Sequence, residues 1–397
     1  MTTQLIPQEI LHKSKKILFV THLALGDFTY MEPCFKAFHE TYPHIEIHLW
    51  VDELRRTYDF RQWQGLKNYS LFSWLESVPY FRKVYKETYS PFVFLRSLFA
   101  AKSQQYPVVV AFGLAHRSYY AQLVHSISKT GFVAAIAKRY RPRKTPRILQ
   151  RRIFERLDAL LQEHPENAPH VSDIYAAWFG QLFGLEISKA QRRPHMEVPL
   201  CWTEEAQARL QQWGIRQKSL RQKRLIFVNH LSKQAERSWS IEKTLDLIGA
   251  IRKLDVWSDS DFIFNTVPEQ WKETQAAMAG HVQGDGVHLF SATENFFQLP
   301  AILQQCDLII SVETAVMHLA NAVKVPVIAL MRQHTPEWVP IDADNSRVIM
   351  TLNHDDWVEH IALERVIAAL PNFVDMQWPT DKSVLNSLRT SSAQSAP

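Results

Sequence analysis

The sequence contains two successive series of short apolar runs that alternate with longer amphipathic stretches. The first series opens with ILFVT at 17–21, after a lysine pair, and the second opens with LIFVN at 225–229, again after basic residues. Short apolar runs that alternate with helical patterns are typical of parallel β-sheets covered by helices. The sequence therefore predicts an α/β protein with two Rossmann-like domains that face each other across a cleft.

The positions of these runs predict the element boundaries. In the first series we expect a helix over 30–40 and strands over 17–21, 45–51 and 108–112. In the second we expect helices over 241–253, 314–323 and from Asp355 to Leu370, and strands over 225–229, 261–267, 287–290, 308–312 and 326–330. The segment 191–199 has two prolines and two arginines and is interpreted as a linker. We therefore predict an N-terminal domain over 1–198, a C-terminal domain over 199–372, and a Ser/Ala-rich disordered tail over 373–397.

Composition narrows the class of protein. The 397 residues fit about two domains, and the formal net charge of +5 is too small by itself to indicate nucleic-acid binding. Cys34, Cys201 and Cys306 lie far apart, so neither a zinc site nor a disulfide framework is predicted. No signal-peptide pattern or run of 18 apolar residues occurs. We expect a cytoplasmic protein whose contact with the inner membrane is peripheral.

The first segment that follows a predicted strand runs from His22 to Asp27, directly after ILFVT. Gly26 permits a tight turn. Asp27 is expected near a helix N-terminus, where the macrodipole favours the ionised carboxylate. An ionised carboxylate there can accept a proton from an alcohol. The spacing alone leaves an equal alternative, in which Asp27 only caps the helix.

The segment from Asp307 to Leu330 combines an apolar strand, the turn Glu313-Thr314-Ala315 and a helix that starts at once. The free N–H groups of such a first turn bind anions, and a small residue at position 315 lets a diphosphate approach. His318 lies one turn beyond Thr314 on the same helix face. An ordinary strand–turn–helix with a capping residue is the alternative interpretation.

A third candidate segment, NHLSKQAERSW at 229–239, joins a predicted strand to a predicted helix. It places Lys233 and Arg237 near the strand end, where a cation can neutralise a leaving phosphate. A solvated basic loop is the equally favoured alternative.

Together these segments resemble the ADP-heptose:lipopolysaccharide heptosyltransferase family, also called glycosyltransferase family nine, whose fold is GT-B. The N-terminal pattern of that family is matched by Gly26-Asp27, five residues and Pro33, followed by Tyr42-Pro43. Its lysine two residues before a tryptophan corresponds to Arg237, before Trp239. Its aspartate–strand–Asp-Thr-Gly pattern with a later histidine is matched from Asp307 through Glu313-Thr314-Ala315 to His318. The resemblance is dense over 17–43 and 225–340.

The sequence departs from the family pattern at three places. Glu313 and Ala315 replace aspartate and glycine, Arg237 replaces lysine, and 332–336 (RQHTP) replaces the common Gly-Pro-Thr. Arginine binds phosphate as a planar fork rather than as a point charge. These departures affect the identity of the donor more than the fold.

The resemblance implies an inverting, metal-independent glycosyltransferase without a cofactor. A nucleotide-sugar, with ADP-heptose as the first candidate, would bind the second domain through Lys233, Arg237, Glu313, Thr314, Ala315 and His318, and Gly26 of the first domain would complete the donor site. Asp27 would take the proton of an acceptor hydroxyl on the lipopolysaccharide inner core. The alternatives are a GT-B transferase with another donor, such as a UDP-hexose, and a family member that binds glycan or nucleotide without catalysis.

A basic run over 138–152 carries eight lysines and arginines and no acid. A solvated loop is the default interpretation. The functional interpretation is a patch for an acidic glycolipid acceptor or an anionic membrane surface, to which we assign Arg139, Arg141, Arg143 and Lys144. No recognisable nucleic-acid-binding module accompanies the run.

Three further patterns have weaker functional interpretations. The apolar segment from Phe92 to Lys102 is predicted as a core helix, with a membrane contact as the alternative. Asp259-Ser-Asp261 looks like a DxD metal motif but precedes a strand instead of following one, so a loop is favoured. His44, Glu46 and His48 alternate on one predicted strand face, which is interpreted as a polar face rather than a metal site.

Overall fold

The computed structural model describes residues 4–113, 116–136, 152–165, 168–281 and 286–373. Twelve parallel strands form two sheets of six. The first contains β1 (Lys16–Thr21), β2 (Glu46–Val51), β3 (Phe81–Tyr85), β4 (Val108–Ala111), β5 (Phe132–Ile136) and β6 (Ala159–Leu161). The second contains β7 (Leu225–Asn229), β8 (Asp261–Asn265), β9 (Val287–Phe290), β10 (Leu308–Val312), β11 (Val327–Met331) and β12 (Ser346–Met350).

Helices connect the strands of both sheets. Within the first series they are α1 (Gln8–Lys13), α2 (Leu25–Thr41), α3 (Trp63–Lys67), α4 (Leu71–Ser77), α5 (Pro91–Lys102), α6 (Arg117–Ile127) and α7 (Val171–Phe183). Then follow α8 (Leu200–Gln212), α9 (Ile241–Arg252), α10 (Trp271–His281), α11 (Gln298–Gln305), α12 (Ala315–Ala322) and α13 (Leu363–Ala369). No helix among the described residues is long and apolar enough to cross a membrane.

Both sheets have the same strand order. The first is β3-β2-β1-β4-β5-β6, and the second, started from its other edge, is β9-β8-β7-β10-β11-β12. In each sheet the order reverses direction between the first and the fourth strand, and ligands of open α/β sheets bind at the carboxyl ends of the strands beside such a switch point. The predicted fold class of two Rossmann-like units is therefore confirmed. The two sheets lie on either side of the predicted boundary at residue 198.

The core of the first unit is largely aromatic. Phe19 of β1 lies 5.1 Å from Phe35 of α2 and 5.8 Å from Phe179 of α7, measured between ring centroids. These buried rings fix α2 and α7 on the same face of the first sheet. The packing matters for the site, because α2 carries Asp27 and α7 carries the residue that contacts it.

The two units are in direct contact. Trp74 of α4 stacks on Phe296 with 5.6 Å between centroids, and the Met196 N–H donates to the Ala322 carbonyl at the end of α12 (3.1 Å). The His170 ring is hydrogen-bonded through Nε2 to the Val339 carbonyl (2.8 Å). The segment predicted as a linker therefore packs against the second unit.

Several sequence predictions need correction. Helix α2 begins at Leu25, five residues before the predicted start, so Gly26 and Asp27 lie in its first turn. The C-terminal helix begins at Leu363 instead of immediately after Asp355, because a 3-10 turn over Val358–His360 comes first. The face at 44–48 is polar, as predicted, but it is not exposed throughout, since His48 is buried and its Nδ1 is hydrogen-bonded to the Tyr106 hydroxyl (2.7 Å). The predicted tail from 374 onward lies outside the described residues.

Candidate active site

Asp27 is the third residue of α2 and is held by two hydrogen bonds. The Tyr175 hydroxyl donates to Oδ1 (2.9 Å) and the Ala24 N–H donates to Oδ2 (3.0 Å). The second bond runs from the N-cap N–H to the side chain of the third helical residue, so Asp27 also caps the helix, as the capping interpretation expected, although Ala24 has no polar side chain to complete a capping box. Both carboxylate oxygens are therefore fixed in orientation.

The environment of Asp27 differs from the sequence-based expectation. Burial raises the pKa of its carboxyl above the usual value, while the hydrogen bonds from Tyr175 and Ala24 and the nearby His22 ring oppose the rise. We expected the helix N-terminus to keep the carboxylate at its ordinary acidity. A half-buried carboxyl with a raised pKa is a stronger base when ionised than an ordinary aspartate.

Gly26 lies against the second unit. A Cβ at this position would stand 3.3 Å from Cδ2 of His318 and 3.8 Å from the Trp338 ring. A Cβ at 3.3 Å is tighter than most real contacts, so the His318 ring would have to move by a few tenths of an ångström to admit a side chain here. The first turn of α2 therefore touches α12 across the cleft, and Gly26 serves this approach of the two units.

His318 is buried in the same contact. Its Nδ1 is hydrogen-bonded to the Tyr30 hydroxyl of α2 (2.9 Å), and the two rings meet edge to face. Burial lowers the pKa of His318 to about 3, so the ring is neutral at physiological pH. A neutral ring engaged by Tyr30 joins the two units and supplies no positive charge to a phosphate.

The first turn of α12 lies at the carboxyl end of β10. Thr314 is its N-cap, and the Thr314 hydroxyl accepts hydrogen bonds from the Val316 N–H (3.2 Å) and from Nδ2 of Asn229 at the end of β7 (3.1 Å). Thr314 and Ala315 remain partly exposed. This turn therefore presents the positive end of a helix at the switch point of the second sheet.

Glu313 is buried between two arginines. Its carboxylate is ion-paired with Arg237 (3.3 Å) and with Arg332 (3.9 Å). It also accepts hydrogen bonds from the Arg332 N–H (3.1 Å) and the Thr335 hydroxyl (2.9 Å). Glu313 therefore holds Arg237 and Arg332 in position. Its effect on a bound phosphate would be indirect, because the two arginines would make the contacts.

The two guanidinium groups have unsatisfied donors. Nε of Arg237 and Nε of Arg332 are both buried and have no hydrogen-bond partner among the described residues. A buried N–H group without a partner is costly, and a bound anion removes that cost. Arg332 was not among the predicted site residues, although its place at the end of β11, two strands from β7, was a usable signal.

Lys233 and the predicted acceptor residues are not part of the cluster formed by Glu313, Arg237 and Arg332. Lys233 is exposed in the β7–α9 loop that also carries Arg237. The tentative acceptor residues Arg139, Arg141, Arg143 and Lys144 lie outside the described residues, so their prediction is untested.

A second carboxylate, missed by the sequence interpretation, lies at the same edge of the first sheet. Asp52 follows β2, is 1% exposed, and is ion-paired with Arg56. The Tyr119 hydroxyl donates to the same carboxylate (3.3 Å). Burial raises the pKa of Asp52, and the Arg56 charge opposes the rise. Because the carboxylate is already paired, it anchors Arg56 at the cleft edge.

Two further features lie away from these residues. His334, His354 and Asp355 bring three potential metal-ligand atoms within 4.8 Å of one another on exposed loops after β11 and β12. The Asp259–Asp261 segment precedes and begins β8, as the loop interpretation expected. An open cavity of about 630 Å³ between α8, α10 and β9 is lined by Trp213, Trp271 and His288 and by none of the predicted site residues.

Two sheets of identical strand order, with polar clusters at their switch points, define a fold of the GT-B type. The model of glycosyltransferase family 9 (heptosyltransferase) matches residues 154–368. The chain belongs to this family and is a glycosyltransferase.

Known structures share the fold of this chain. The family 9 glycosyl transferase of Veillonella parvula DSM 2008 superposes with a TM-score of 0.68 at 17% identity, covering 91% of this chain and 97% of that one. The E. coli ADP-heptose LPS heptosyltransferase II gives 0.62 at 14% identity, with 90% and 98% covered. The E. coli heptosyltransferase WaaC with ADP gives 0.56 at 13% identity, with 90% and 97% covered. No curated protein sequence matches the chain.

Proposed function

We propose that the protein transfers a sugar, with heptose from ADP-heptose as the first candidate, to an acceptor hydroxyl on the lipopolysaccharide inner core. The observation that carries the proposal is the meeting of two helix N-termini across the cleft. Gly26, next to Asp27, lies against His318, one turn from Thr314. A base on one domain and an anion site on the other are the two parts that sugar transfer requires.

The donor half of the proposal is supported by charge. The diphosphate would lie at the first turn of α12, where Thr314 and Ala315 are accessible. The unpaired Nε donors of Arg237 and Arg332 would bind its oxygens, with Lys233 adding a mobile cation. The solved structures of similar fold include E. coli heptosyltransferase WaaC with ADP and with ADP-2-deoxy-2-fluoro heptose.

The reaction follows from these positions. The acceptor oxygen attacks the anomeric carbon as the bond from that carbon to the diphosphate oxygen breaks, so the configuration inverts. The acceptor proton passes to the Asp27 carboxylate. The electron pair of the broken bond stays on the nucleoside diphosphate, where the arginines and the helix N-terminus stabilise the added charge. Proton transfer to a positioned base contributes about 10²–10⁴-fold to the rate.

The proposed reaction requires neither a cofactor nor a metal ion, since Arg237 and Arg332 would neutralise the leaving diphosphate. The acceptor is an acidic glycolipid, which the enzyme meets at the cytoplasmic face of the inner membrane.

The departures from the family pattern favour a second candidate. Arg332 contributes a cation where Gly-Pro-Thr is common, and Glu313 reaches one methylene further than aspartate. A different donor, such as a UDP-hexose for another surface glycan, would fit a rebuilt sugar and phosphate site. A member that binds nucleotide without catalysis would keep the arginine cluster but not depend on Asp27.

Calorimetry and turnover assays separate these candidates. Purified protein is titrated with ADP-heptose and with UDP-hexoses, and transfer to heptose-free Kdo-bearing lipid A is followed for wild type and Asp27→Asn. We expect ADP-heptose to bind and turn over, and Asp27→Asn to lower turnover by about 10²–10⁴-fold without weakening donor binding. Turnover with a UDP-hexose alone would favour the second candidate, and binding without any turnover would favour the non-catalytic one.

A further inference from the structure

Helix α5 is apolar on both of its faces. Phe94, Leu98 and Ala101 pack on the core of the first unit, as the core-helix prediction expected. Phe92, Leu95 and Phe99 instead point outward and are 71%, 47% and 65% exposed. The prediction of a core helix is therefore wrong for the outer face. A helix that is apolar all round has something covering its outer side, in another protein or in a membrane.

Hydrogen bonds hold helix α5, and with it the exposed face, firmly in place. The Ser90 hydroxyl caps its N-terminus by accepting from the Val93 N–H (3.4 Å), and Pro91 occupies the first position. The buried Ser97 hydroxyl donates to the Glu87 carbonyl (2.8 Å), which fixes the middle of the helix. The three outward side chains are therefore displayed in one fixed row, spaced three and four residues apart.

The row continues beyond the helix. Tyr58, in the segment after β2, is 71% exposed, and its ring meets Phe92 edge to face at 5.9 Å. We call Tyr58, Phe92, Leu95 and Phe99 the α5 face. Contiguous exposed apolar area of this kind marks an interaction site on a soluble domain.

The charged residues of helix α5 itself are all basic. Helix α5 carries Arg96 and Lys102 and no acidic residue. Arg96 is exposed within the row, in a solvent-screened pair with Glu87, and the Lys102 ammonium lies 5.7 Å from the centre of the Phe99 ring. Aromatic and aliphatic side chains interleaved with cations fit the headgroup region of an anionic bilayer, where the rings insert and the cations meet lipid phosphates.

The α5 face also borders the cleft. Helix α5 follows β3, so its N-terminal end with Phe92 and Tyr58 lies at the carboxyl edge of the first sheet, the edge that carries Asp27. Arg56, paired with Asp52 at that edge, lies over the Phe94 ring at 3.9 Å. A surface that touched this face would thus be next to the part of the cleft where an acceptor approaches.

We propose that the α5 face docks the enzyme on an anionic lipid bilayer, with α5 lying in the plane of the interface. The twelve residues of α5 are too few to span a bilayer, so the contact is peripheral. The inference rests on the proposed function, because it explains how a soluble domain reaches an acceptor that is held in a membrane.

The test is vesicle co-sedimentation of the full chain. Wild type should bind vesicles of phosphatidylethanolamine and phosphatidylglycerol and should bind pure phosphatidylcholine vesicles much more weakly. Phe92→Ser/Phe99→Ser should reduce binding to the anionic vesicles by at least roughly tenfold. The matched control is Leu200→Ser/Leu352→Ser, which removes two side chains of similar exposure from outside the α5 face and should bind as wild type.

Equal loss of vesicle binding in both double variants, or equal binding of wild type to neutral and anionic vesicles, would overturn the proposal. So would a wild-type dimer in solution that Phe92→Ser/Phe99→Ser dissociates, because a second copy of the chain would then cover the α5 face. An independent probe is a polarity-sensitive dye on Leu95→Cys in a Cys201→Ser background, whose emission should shift to the blue on anionic vesicles. An unchanged spectrum would count against insertion.

Failure of this inference is distinguishable from failure of the proposed function. Donor turnover is measured in the same preparations with a delipidated, water-soluble acceptor. Turnover without vesicle binding would refute only membrane docking through the α5 face. Vesicle binding without turnover would refute only the proposed sugar transfer.

Discussion

The hydrogen bond from Tyr175 to Asp27 leads to a prediction about the pH dependence of the enzyme. Burial raises the pKa of Asp27, and the Tyr175 bond opposes that rise by stabilising the ionised carboxylate. Burial also keeps the pKa of the Tyr175 hydroxyl well above its usual value, so it stays a donor throughout the working range. Tyr175→Phe removes this donor while it keeps the ring that packs beside Trp178.

The magnitude follows from the geometry. At 2.9 Å the bond is a normal hydrogen bond to a charged group, worth about 1.5–3 kcal/mol. Its loss should move the acid limb of kcat/KM for the donor reaction upward by about one to two pH units. At the plateau on the alkaline side, the variant should recover a large part of the wild-type rate, because Asp27 is then ionised again.

The control is Tyr42→Phe, which removes another buried hydroxyl of the first unit. The Tyr42 hydroxyl donates to the Phe183 carbonyl at the end of α7 (3.1 Å) and makes no contact with Asp27. Tyr42→Phe should lower stability without moving the pH profile. An unmoved acid limb in Tyr175→Phe, or the same displacement in both variants, would refute the assignment of Asp27 as the base.

Three further predictions concern the same cleft. Asp27→Asn should lower transfer by about 10²–10⁴-fold. The pKa of Asp27 is raised in the folded state, so ionisation of this carboxyl destabilises the folded protein at neutral pH. Asp27→Asn should therefore unfold at a higher denaturant concentration than wild type at neutral pH, and the gap between the two midpoints should shrink toward acid pH. Arg237→Gln should raise the dissociation constant of the donor in calorimetry about ten- to hundredfold, while an unaltered constant would exclude Arg237 from the phosphate site. Since burial lowers the pKa of His318 to about 3, the unfolded chain gains a proton below about pH 6.5 that the folded chain excludes, and stability is lost as pH falls. His318→Gln should reduce the slope of unfolding free energy against pH, over roughly pH 4–6, by up to about 1.4 kcal/mol per pH unit, as measured by urea titration.

The architecture could be predicted because its signals are local. Each sheet opens with a continuous apolar run, at Lys16–Thr21 and Leu225–Asn229, because strands in parallel sheets are covered on both faces. Four of the described strands were missed. β3 and β12 mix exposed and buried residues, β6 has only three residues, and β5 is buried but has only five. None of the four carries a periodic pattern long enough to be distinguished from a loop.

The site residues that could be predicted from the sequence are those that follow a strand within a short segment. Asp27, Arg237 and Glu313 all lie within eight residues of a strand end. What the sequence could not supply were contacts between distant segments. Tyr175 meets Asp27 from 148 residues away, and Arg332 meets Glu313 only because β10 and β11 are neighbours in the sheet. The raised pKa of Asp27 depends on this enclosure, which no local pattern encodes.

The Glu313 carboxylate between two arginines also bears on how a reaction cycle could end. Glu313 balances part of the charge of Arg237 and Arg332, so that the two cations are held near each other without full mutual repulsion. A nucleoside diphosphate product would have to compete with this resident carboxylate for the same guanidinium groups. Such a competitor would weaken product retention and speed product departure, so that a strongly cationic pocket could turn over instead of being inhibited by its own product.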